Sequence, residues 1–502
     1  MKKQRKVSKE NLWIEKLKWR VVLPKKVARY LAYQMEKTQP FRNFKIEYAL
    51  YYLSLLGSVP ARAKDKQYHY GFVPLHSQFL KKISYNYKKY FDYFMEIGIL
   101  KKLNYNVNRS KSNRYKYNYQ QIQMDGLETV DFTEFTFKKS LEKDADAKMK
   151  YAISTCEHLA QWFDHGLYLN YEWFLEDHDK KFTYNVFDDD SKIAEDILKA
   201  QNYYLNAYEF HRQNFRISRN PKSDNRLHSN LTNFPKELRK YVSYQGDTLK
   251  GLDIKNSQPY FMILLIEELI RKGNIEGYSN KRLERIWNSI YSNRITMMQV
   301  FNQVASSRAF KEEFLVIKKA VLEGQYYEFL GSVFQDIKPD YIDLDGNEIF
   351  TGKFYNPDSG YTDTLIFKSR RELMKKISMQ LLYTPLSRPS KYYVIFKEKF
   401  PELCTLMELL KSATPSKESY KRFPRLLQHF EADCVLDYVT KGISEKYPDM
   451  PLFTIHDSIV TQWFWFNELQ SSVSELMTEY SGGLPPVLDS QCWGIEPRYD
   501  VA

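Results

Sequence analysis

The stretch 250–259, KGLDIKNSQP, places Asp253 after an apolar pair and shortly after the turn signal YQGD at 244–247. A second stretch, FTIHDSIVT at 453–461, places Asp457 after a short run with strand-like β-branched and aromatic content. Mg²⁺ takes one or two carboxylates and keeps the rest of its shell as water or substrate phosphate, so two aspartates at strand ends suffice for a metal site. Taken alone, each aspartate has an alternative interpretation as an ordinary cap or turn residue that binds no metal.

Between the two aspartates, the run RELMKKISMQLLY at 371–383 predicts a helix. Positions four apart share a helix face, so one face carries two cations, a thioether and a phenol. Such cations can hold the β- and γ-phosphates of a triphosphate, where negative charge develops on a leaving pyrophosphate. The alternative is an amphipathic helix with a solvated basic stripe. The four residues of this face are Arg371, Lys375, Met379 and Tyr383.

Taken in order, these segments resemble motifs A, B and C of the family A DNA polymerases and the related single-subunit, phage-type RNA polymerases. Two further segments resemble parts of the same superfamily: DNRLHSNLTNFP at 224–235 and LLQHFEADCVL at 426–436. The positions that carry the resemblance are Asp253; Arg371, Lys375 and Tyr383; His456 and Asp457; Arg226; and Gln428 and Asp433.

The resemblance implies a template-directed nucleotidyltransferase that uses two Mg²⁺ ions, with Mn²⁺ as the alternative ion. Its partners would be a DNA template and nucleoside triphosphates, with RNA as product or primer. The implied catalytic residues are Asp253, Asp457 and Lys375, of which the two aspartates bind metal. The implied nucleotide-binding residues are Arg371, Lys375, Met379, Tyr383 and Gln258, and the implied template or primer contacts are Arg226, Gln428 and His456.

The residues that differ between the RNA and DNA enzymes of the superfamily do not decide whether the product is RNA or DNA. Met379 and Ser458 are closer to the phage-type RNA polymerases, whereas Gln428 and Asp433 match the DNA enzymes. Gln258 stands where DNA polymerases commonly have the glutamate that excludes a ribose 2′-hydroxyl; a glutamine is as bulky but both donates and accepts hydrogen bonds. We therefore predict a polymerase with a slight lean to RNA synthesis, as an RNA polymerase or a primase-like enzyme.

Two alternatives remain from the sequence. One is a family A-like DNA polymerase without proofreading, since no exonuclease-like carboxylate set is evident. The other is a catalytically inactive, DNA-binding regulator of replication or transcription, because Thr384 and Asn225 replace two glycines of the family motifs.

Positive charge is concentrated in the first quarter of the chain. Residues 1–120 hold 27 Lys+Arg against 7 Asp+Glu, whereas the rest holds 48 against 55. Such a concentration of positive charge is typical of a segment that binds a nucleic-acid phosphate backbone. Residues 70–119 resemble a winged helix in which Lys88 and Lys89 begin the recognition helix and a basic turn forms the wing. The basic residues of that turn are Arg109, Lys111 and Arg114. A solvated basic arm or a protein-binding winged helix is the alternative.

The motif-like segments and the basic first quarter predict an α+β, mostly helical fold. The expected architecture is a right-hand polymerase of palm, fingers and thumb with an N-terminal winged-helix-like domain. Residues 1–120 form the basic domain, 121–220 a helical thumb-like region, 221–262 and 396–502 the palm, and 263–395 the fingers. Apolar runs stay shorter than a membrane span, the basic start lacks a signal-like apolar region, and the four cysteines are scattered. We predict a cytoplasmic protein without a membrane partner; protein partners are unknown.

Overall fold

The computed structural model describes residues 20–61, 71–103, 112–118, 127–131, 139–181, 190–292, 295–356, 361–412 and 419–494. Helices dominate these residues and surround several small sheets, so the predicted α+β, mostly helical class is confirmed. Buried apolar side chains form two clusters, one within residues 21–117 and the other within residues 152–493. In the part of the chain that is described, no helix is both long and apolar enough to cross a bilayer.

The N-terminal cluster is built on four helices and five short strands. Strands β2, β4 and β3 form an antiparallel sheet in that order, and β1 pairs with β5. The elements are β1 Arg20–Pro24, α1 Lys25–Lys37, α2 Ile46–Ala61, β2 Val73–Pro74, α3 Ser77–Ile83, α4 Tyr87–Glu96, β3 Leu100–Leu103, β4 Arg114–Tyr117 and β5 Leu127–Asp131.

Helices α3 and α4 lie where the winged-helix interpretation expects them. The apolar residues Tyr90, Phe91 and Phe94 of α4 are buried, while Lys88 and Lys89 in its first turn are exposed. The element order agrees with the interpretation, which stays a prediction. In the wing, Arg114 begins β4 and is partly exposed. Arg109 and Lys111 lie outside the described residues.

The next segment contains α5 Lys139–Thr155, α6 Glu157–Ala160, β6 Leu167–Leu169, α7 Tyr171–Lys181, α8 Asp190–His211, β7 Ile217–Arg219 and β8 Leu227–Ser229. Helix α8 packs against α2 of the N-terminal cluster, and β7 pairs with β8. Strand β6, however, pairs with β9 of the central sheet. Residues 121–220 therefore include a strand of that sheet as well as the predicted helices.

The central sheet has the strand order β14-β15-β10-β9-β6, and β16 pairs with the second edge of β10. All of these pairings are antiparallel. Its remaining strands are β9 Val242–Tyr244, β10 Asp247–Ile254, β14 Phe453–Ile455, β15 Ser458–Gln462 and β16 Leu488–Cys492.

Between β10 and β14 the chain is mostly helical, with one antiparallel sheet β11-β12-β13 at the predicted hairpin. Helix α9 follows β10 directly and is buried along most of its length because it packs against several other helices. The elements are α9 Ser257–Asn274, α10 Lys281–Tyr291, α11 Met297–Val300, α12 Arg308–Leu322, α13 Tyr326–Val333, β11 Tyr341–Ile342, β12 Glu348–Asn356, β13 Tyr361–Phe367, α14 Arg370–Tyr383, α15 Lys391–Lys399, α16 Pro401–Ser412, α17 Arg422–Ala432, a π-helical turn Asp433–Val439, α18 Thr440–Lys446 and, after β15, α19 Phe466–Ser481.

An ion pair between a buried arginine and a partly exposed aspartate joins β7 to the π-helical turn. Arg219 is 2% exposed, and its two terminal nitrogens donate to the Asp437 carboxylate at 2.6 and 2.7 Å. Its Nε also donates to the carbonyl oxygen of Asn225 at 2.9 Å. The arginine therefore fixes the loop that precedes β8.

Replacing Arg219 with Met should destabilise this part of the molecule, because the Asp437 carboxylate would lose its partner. Removal of one member of a fully buried pair costs about 3 kcal/mol, and because water reaches the partly exposed Asp437 carboxylate we expect about 1–2 kcal/mol here. The measurement is the urea midpoint followed by tryptophan fluorescence. The double variant Arg219→Met/Asp437→Leu is the matched control and should recover part of the loss; an unchanged midpoint in the single variant would contradict the expectation.

Candidate functional site

Strand pairing brings the two predicted metal-binding aspartates to the same edge of the central sheet. Asp253, near the end of β10, lies opposite Ser458, the first residue of β15. Asp457 occupies the turn between β14 and β15, and its carbonyl oxygen accepts a hydrogen bond from the Ile254 amide at 3.3 Å. Residues 204 positions apart are therefore neighbours, as the metal-site prediction requires.

Local backbone features allow this close approach. A Cβ atom at Gly251 would lie 3.2 Å from the Ser458 Oγ, so a larger residue would require the Ser458 side chain to shift. His456, before Asp457, has a φ of +58°, and Asn256, before α9, has a φ of +56°. Both are residue types enriched in this left-handed region. His456 is thus a turn residue beside Asp457, and its ring lies 5.9 Å from that of His228.

The environment of Asp457 is already negative. Burial raises the pKa of this carboxyl to about 7; the Glu431 carboxylate adds to the rise, Arg226 opposes it, and Asp253 raises it further. Among the described residues, neither Asp253 nor Asp457 forms a salt bridge. A cation between them would supply the missing countercharge.

The donor set fits Mg²⁺ better than a transition metal. Within the described part of the chain, no group of three or more His, Cys, Asp or Glu side chains is arranged to hold a metal ion. Two carboxylates suffice for Mg²⁺ when substrate phosphates complete its shell, whereas structural zinc needs four protein ligands. Asp253 and Asp457 could therefore hold Mg²⁺ together with a phosphate-bearing ligand.

Helix α14 presents the predicted face. Arg371, Lys375 and Met379 are exposed and Tyr383 is partly exposed, as the spacing of four predicted. The opposite face is buried against the core, and the Ser369 side chain caps the helix by accepting from the Glu372 amide at 3.2 Å.

Tyr327 of α13, which sequence analysis missed, links this face to the aspartates. Arg371 and Lys375 lie over its ring at 5.2 and 5.7 Å from the centroid, and Arg371 also pairs with Glu328. Burial raises the pKa of Tyr327, and the Asp457 carboxylate raises it further. Tyr327 therefore lies in the neighbourhood of Asp457 and contacts both cations of the basic face.

At the other end of α14, Tyr383 is bound to α17. The Gln428 amide donates to the Tyr383 hydroxyl at 2.8 Å. Burial raises the pKa of Tyr383, whereas the neighbouring Arg226 lowers it and Glu431 raises it. The predicted residues Tyr383, Gln428 and Arg226 therefore lie together.

Glu431 is the most important residue that sequence analysis missed. It is 1% exposed, and its Oε2 accepts from Arg226 Nη2, Ser257 Oγ and Gln258 Nε2 at 2.7, 2.7 and 2.6 Å. The available signal was a glutamate three residues after Gln428, on a helix side that is otherwise buried. Arg226, predicted to contact template or primer, has this carboxylate as its direct partner.

Arg239 is a second missed cation. Its guanidinium lies 5.2 Å from the Trp493 ring centroid and donates to Gln491 at 3.2 Å. Burial lowers the pKa of Arg239, and the Asp253 carboxylate opposes that shift. Each aspartate therefore has an arginine in its vicinity, although neither arginine forms a salt bridge with it.

Two departures from the family motifs fit the local backbone. Asn225 has a φ of +57°, a left-handed conformation that asparagine adopts more readily than most residues. Thr384 has φ −65° and ψ 125°, which any residue adopts, so no glycine is required there. Asp433, the matched position at the start of the π-helical turn, instead ties helices together through Arg285 at 2.9 Å and Tyr480 at 3.0 Å.

A buried lysine of α16 binds the C-terminal end of helix α14. Lys411 is 0% exposed, and its Nζ donates to the carbonyl oxygens of Leu381 and Thr384 at 2.9 and 3.2 Å. Carbonyls of the last helical turn lack partners within the helix, so this contact satisfies them and fixes the end that carries Tyr383.

Comparisons with known proteins give a distant structural similarity. No protein family model matches the chain, and no curated protein matches it. Among solved structures, the POL domain of Pol1 from M. smegmatis, in complex with DNA primer-template and dNTP, is similar over 71% of this chain and 73% of that chain. The sequence identity is 10% and the TM-score is 0.31. At this level the similarity decides nothing about function.

Lys411 should make stability depend on pH. Burial lowers its pKa from 10.5 to about 7, so the unfolded chain binds more protons than the folded chain between these values. Stability contributed by this residue therefore rises with pH across that window, by at most about 1.4 kcal/mol per pH unit. Relative to Lys411→Met, the wild type should gain stability between pH 7 and 10, measured by urea unfolding.

The matched control is Lys311→Met, which changes an exposed lysine of α12. Its difference from the wild type should stay constant across the same pH range. A constant difference for Lys411→Met as well would show that the buried amine does not titrate in this window.

Proposed function

We propose that the chain is a template-directed nucleotidyltransferase, that is, a nucleic-acid polymerase. The observation that carries the proposal is the juxtaposition of Asp253 and Asp457 at one sheet edge, with the exposed basic face of α14 bordering the same site. Nucleotidyl transfer needs carboxylates for metal and cations for the triphosphate, and this arrangement offers candidates for both.

Each group has a defined task in this proposal. Two Mg²⁺ ions held by Asp253 and Asp457 would stabilise the attacking and leaving oxygens when bound. Arg371 and Lys375 hold the triphosphate and balance the charge that develops on pyrophosphate. Met379 and Tyr383 lie further along the same face and contact the base and sugar, and Gln258 lies beside the sugar.

The polymerase regions follow from this site. Residues 221–262 and 396–502, which hold every strand of the central sheet except β6, are the palm, and residues 263–395 are the fingers. The thumb assignment to 121–220 applies to its helices, since β6 belongs to the central sheet. The basic N-terminal domain would bind the DNA template through Lys88 and Lys89, which are exposed on α4.

For the product, we favour RNA, with a family A-like DNA polymerase that lacks proofreading as the alternative. An inactive DNA-binding regulator is the second alternative, and the relaxed backbone at Thr384 supports the active enzyme over it. We also propose a cytoplasmic location and leave protein partners open.

Asp457→Ala should abolish incorporation of both dNTPs and NTPs, because half of the metal-binding pair is lost. The assay extends primed and unprimed templates in the presence of Mg²⁺ with all eight nucleotides. Duplex binding by the N-terminal domain, measured by fluorescence anisotropy, should remain intact in this variant. Retained incorporation would refute the assignment; a wild type that binds DNA but incorporates nothing would favour the regulator.

Lys88→Ala/Lys89→Ala should weaken duplex binding and flatten its dependence on salt, since each lost phosphate contact reduces the slope of log K against log salt by about 0.9. Lys81→Ala/Lys82→Ala, which removes two exposed lysines of the preceding helix, is the comparison variant. Equal losses in both variants would indicate diffuse attraction by the basic surface, contrary to a recognition role for α4.

A further inference from the structure

The turn between α3 and α4 of the N-terminal domain carries an aromatic ring that faces solvent. Tyr85 is 83% exposed, more than any other aromatic side chain among the described residues; the next is Tyr341, at 58%. A tyrosine in a packed domain normally buries much of its ring, because the ring is a large apolar surface. The ring of Tyr85 therefore adds little to the hydrophobic core and is available to a ligand.

The turn that carries Tyr85 is nevertheless well anchored. Ile83 before it and Tyr87 after it are both buried in the N-terminal core. The Ser84 Oγ accepts from the Asn86 amide at 3.2 Å, and the Ser84 carbonyl oxygen accepts from the Tyr87 amide at 3.2 Å. A ring on an ordered turn can bind a ligand with little loss of backbone freedom.

Lysines flank this ring on both helices. Between positions 81 and 89, the exposed residues are only lysine, tyrosine and asparagine, and the stretch 76–91 contains no aspartate or glutamate. A second aromatic ring, that of Phe79 on α3, is partly exposed on the same helix face as Lys82. Aromatic rings interleaved with cations are typical of surfaces that bind single-stranded nucleic acid. The flanking lysines are Lys81, Lys82, Lys88 and Lys89.

We propose that Tyr85 stacks on an unpaired base of a DNA strand while the flanking lysines bind its phosphates. The N-terminal domain would then select DNA in which a duplex meets a single strand. The inference rests on the proposed DNA binding by this domain and adds the form of DNA that it prefers. A base inside an uninterrupted duplex is stacked on both sides and offers no face to the ring, whereas an unpaired base of any identity offers one.

The lysines and the ring make contributions that can be separated. A lysine that contacts a phosphate releases a counterion, so its contribution to affinity falls as the salt concentration rises. Stacking of a neutral ring involves no phosphate contact, so its loss should lower affinity without changing the salt dependence. Affinity and salt slope together therefore distinguish Tyr85 from the lysines around it.

The test measures the Kd of the full-length protein by fluorescence anisotropy for two labelled DNAs, a blunt duplex and the same duplex with a single-stranded overhang. The wild type should bind the overhang DNA more tightly. Tyr85→Ala should weaken binding of the overhang DNA by at least about fivefold, the low end of the effect of stacking on one base. Its affinity for the blunt duplex and its slope of log K against log salt should change little.

Three further variants define the contact. Tyr85→Phe keeps the ring and should bind as the wild type does, whereas Tyr85→Leu keeps an apolar side chain without an aromatic face and should resemble Tyr85→Ala. The matched control is Tyr33→Ala, which removes an exposed tyrosine of α1 whose ring lies 4.2 Å from the Lys37 ammonium. This control should keep the preference for the overhang. Thermal unfolding should show equal stability, since both tyrosines are exposed.

The outcomes separate the inference from the function on which it rests. A wild type without preference for the overhang, or a preference that Tyr85→Ala leaves unchanged, overturns the inference while DNA binding by the domain stands. Equal losses for Tyr85→Ala and Tyr33→Ala, or an equal loss on the blunt duplex, also overturn it. Absence of binding to both DNAs refutes the proposed DNA-binding role of the domain instead.

Discussion

The antiparallel pairing of β10 with β15 is the constraint on which the site depends. It places Asp253 opposite Ser458, and the turn that contains Asp457 is hydrogen-bonded to Ile254 at the end of β10. Side-chain direction alternates along a strand, so a shift of one residue would turn Asp253 away from the site face. Gly251 supports this register, since a Cβ atom at that position would crowd the Ser458 hydroxyl.

The parts of the site that could be predicted are those with a local signal. The spacing of Arg371, Lys375 and Met379 on one helix is a property of a few turns, and their exposure follows from it. Asp253 and Asp457 could be paired because each follows a strand-like run and the intervening helix suggested a common ligand. The mostly helical α+β class was predicted from the ordered motif-like segments and the resemblance that they carry.

The parts that could not be predicted depend on contacts between distant segments. Glu431 meets Gln258 across 173 residues, and nothing near either position in sequence indicates that contact. Tyr327 and Arg239 are ordinary residues of their helices until packing brings them near the aspartates. Strand β6, within the predicted helical thumb-like region 121–220, has no local signal for the same reason, since its three residues become a strand only beside β9.

The distribution of charge explains why three acidic side chains can share one site. Glu431 is compensated internally, because Arg226 pairs with it directly and two neutral donors bond to its Oε2. Asp253 and Asp457 have no such direct partner among the described residues, so negative charge remains at the sheet edge. Desolvating that charge is costly unless a cation accompanies it. Arg226 thus neutralises the buried carboxylate of Glu431, whereas Asp253 and Asp457 would need a bound cation to neutralise theirs.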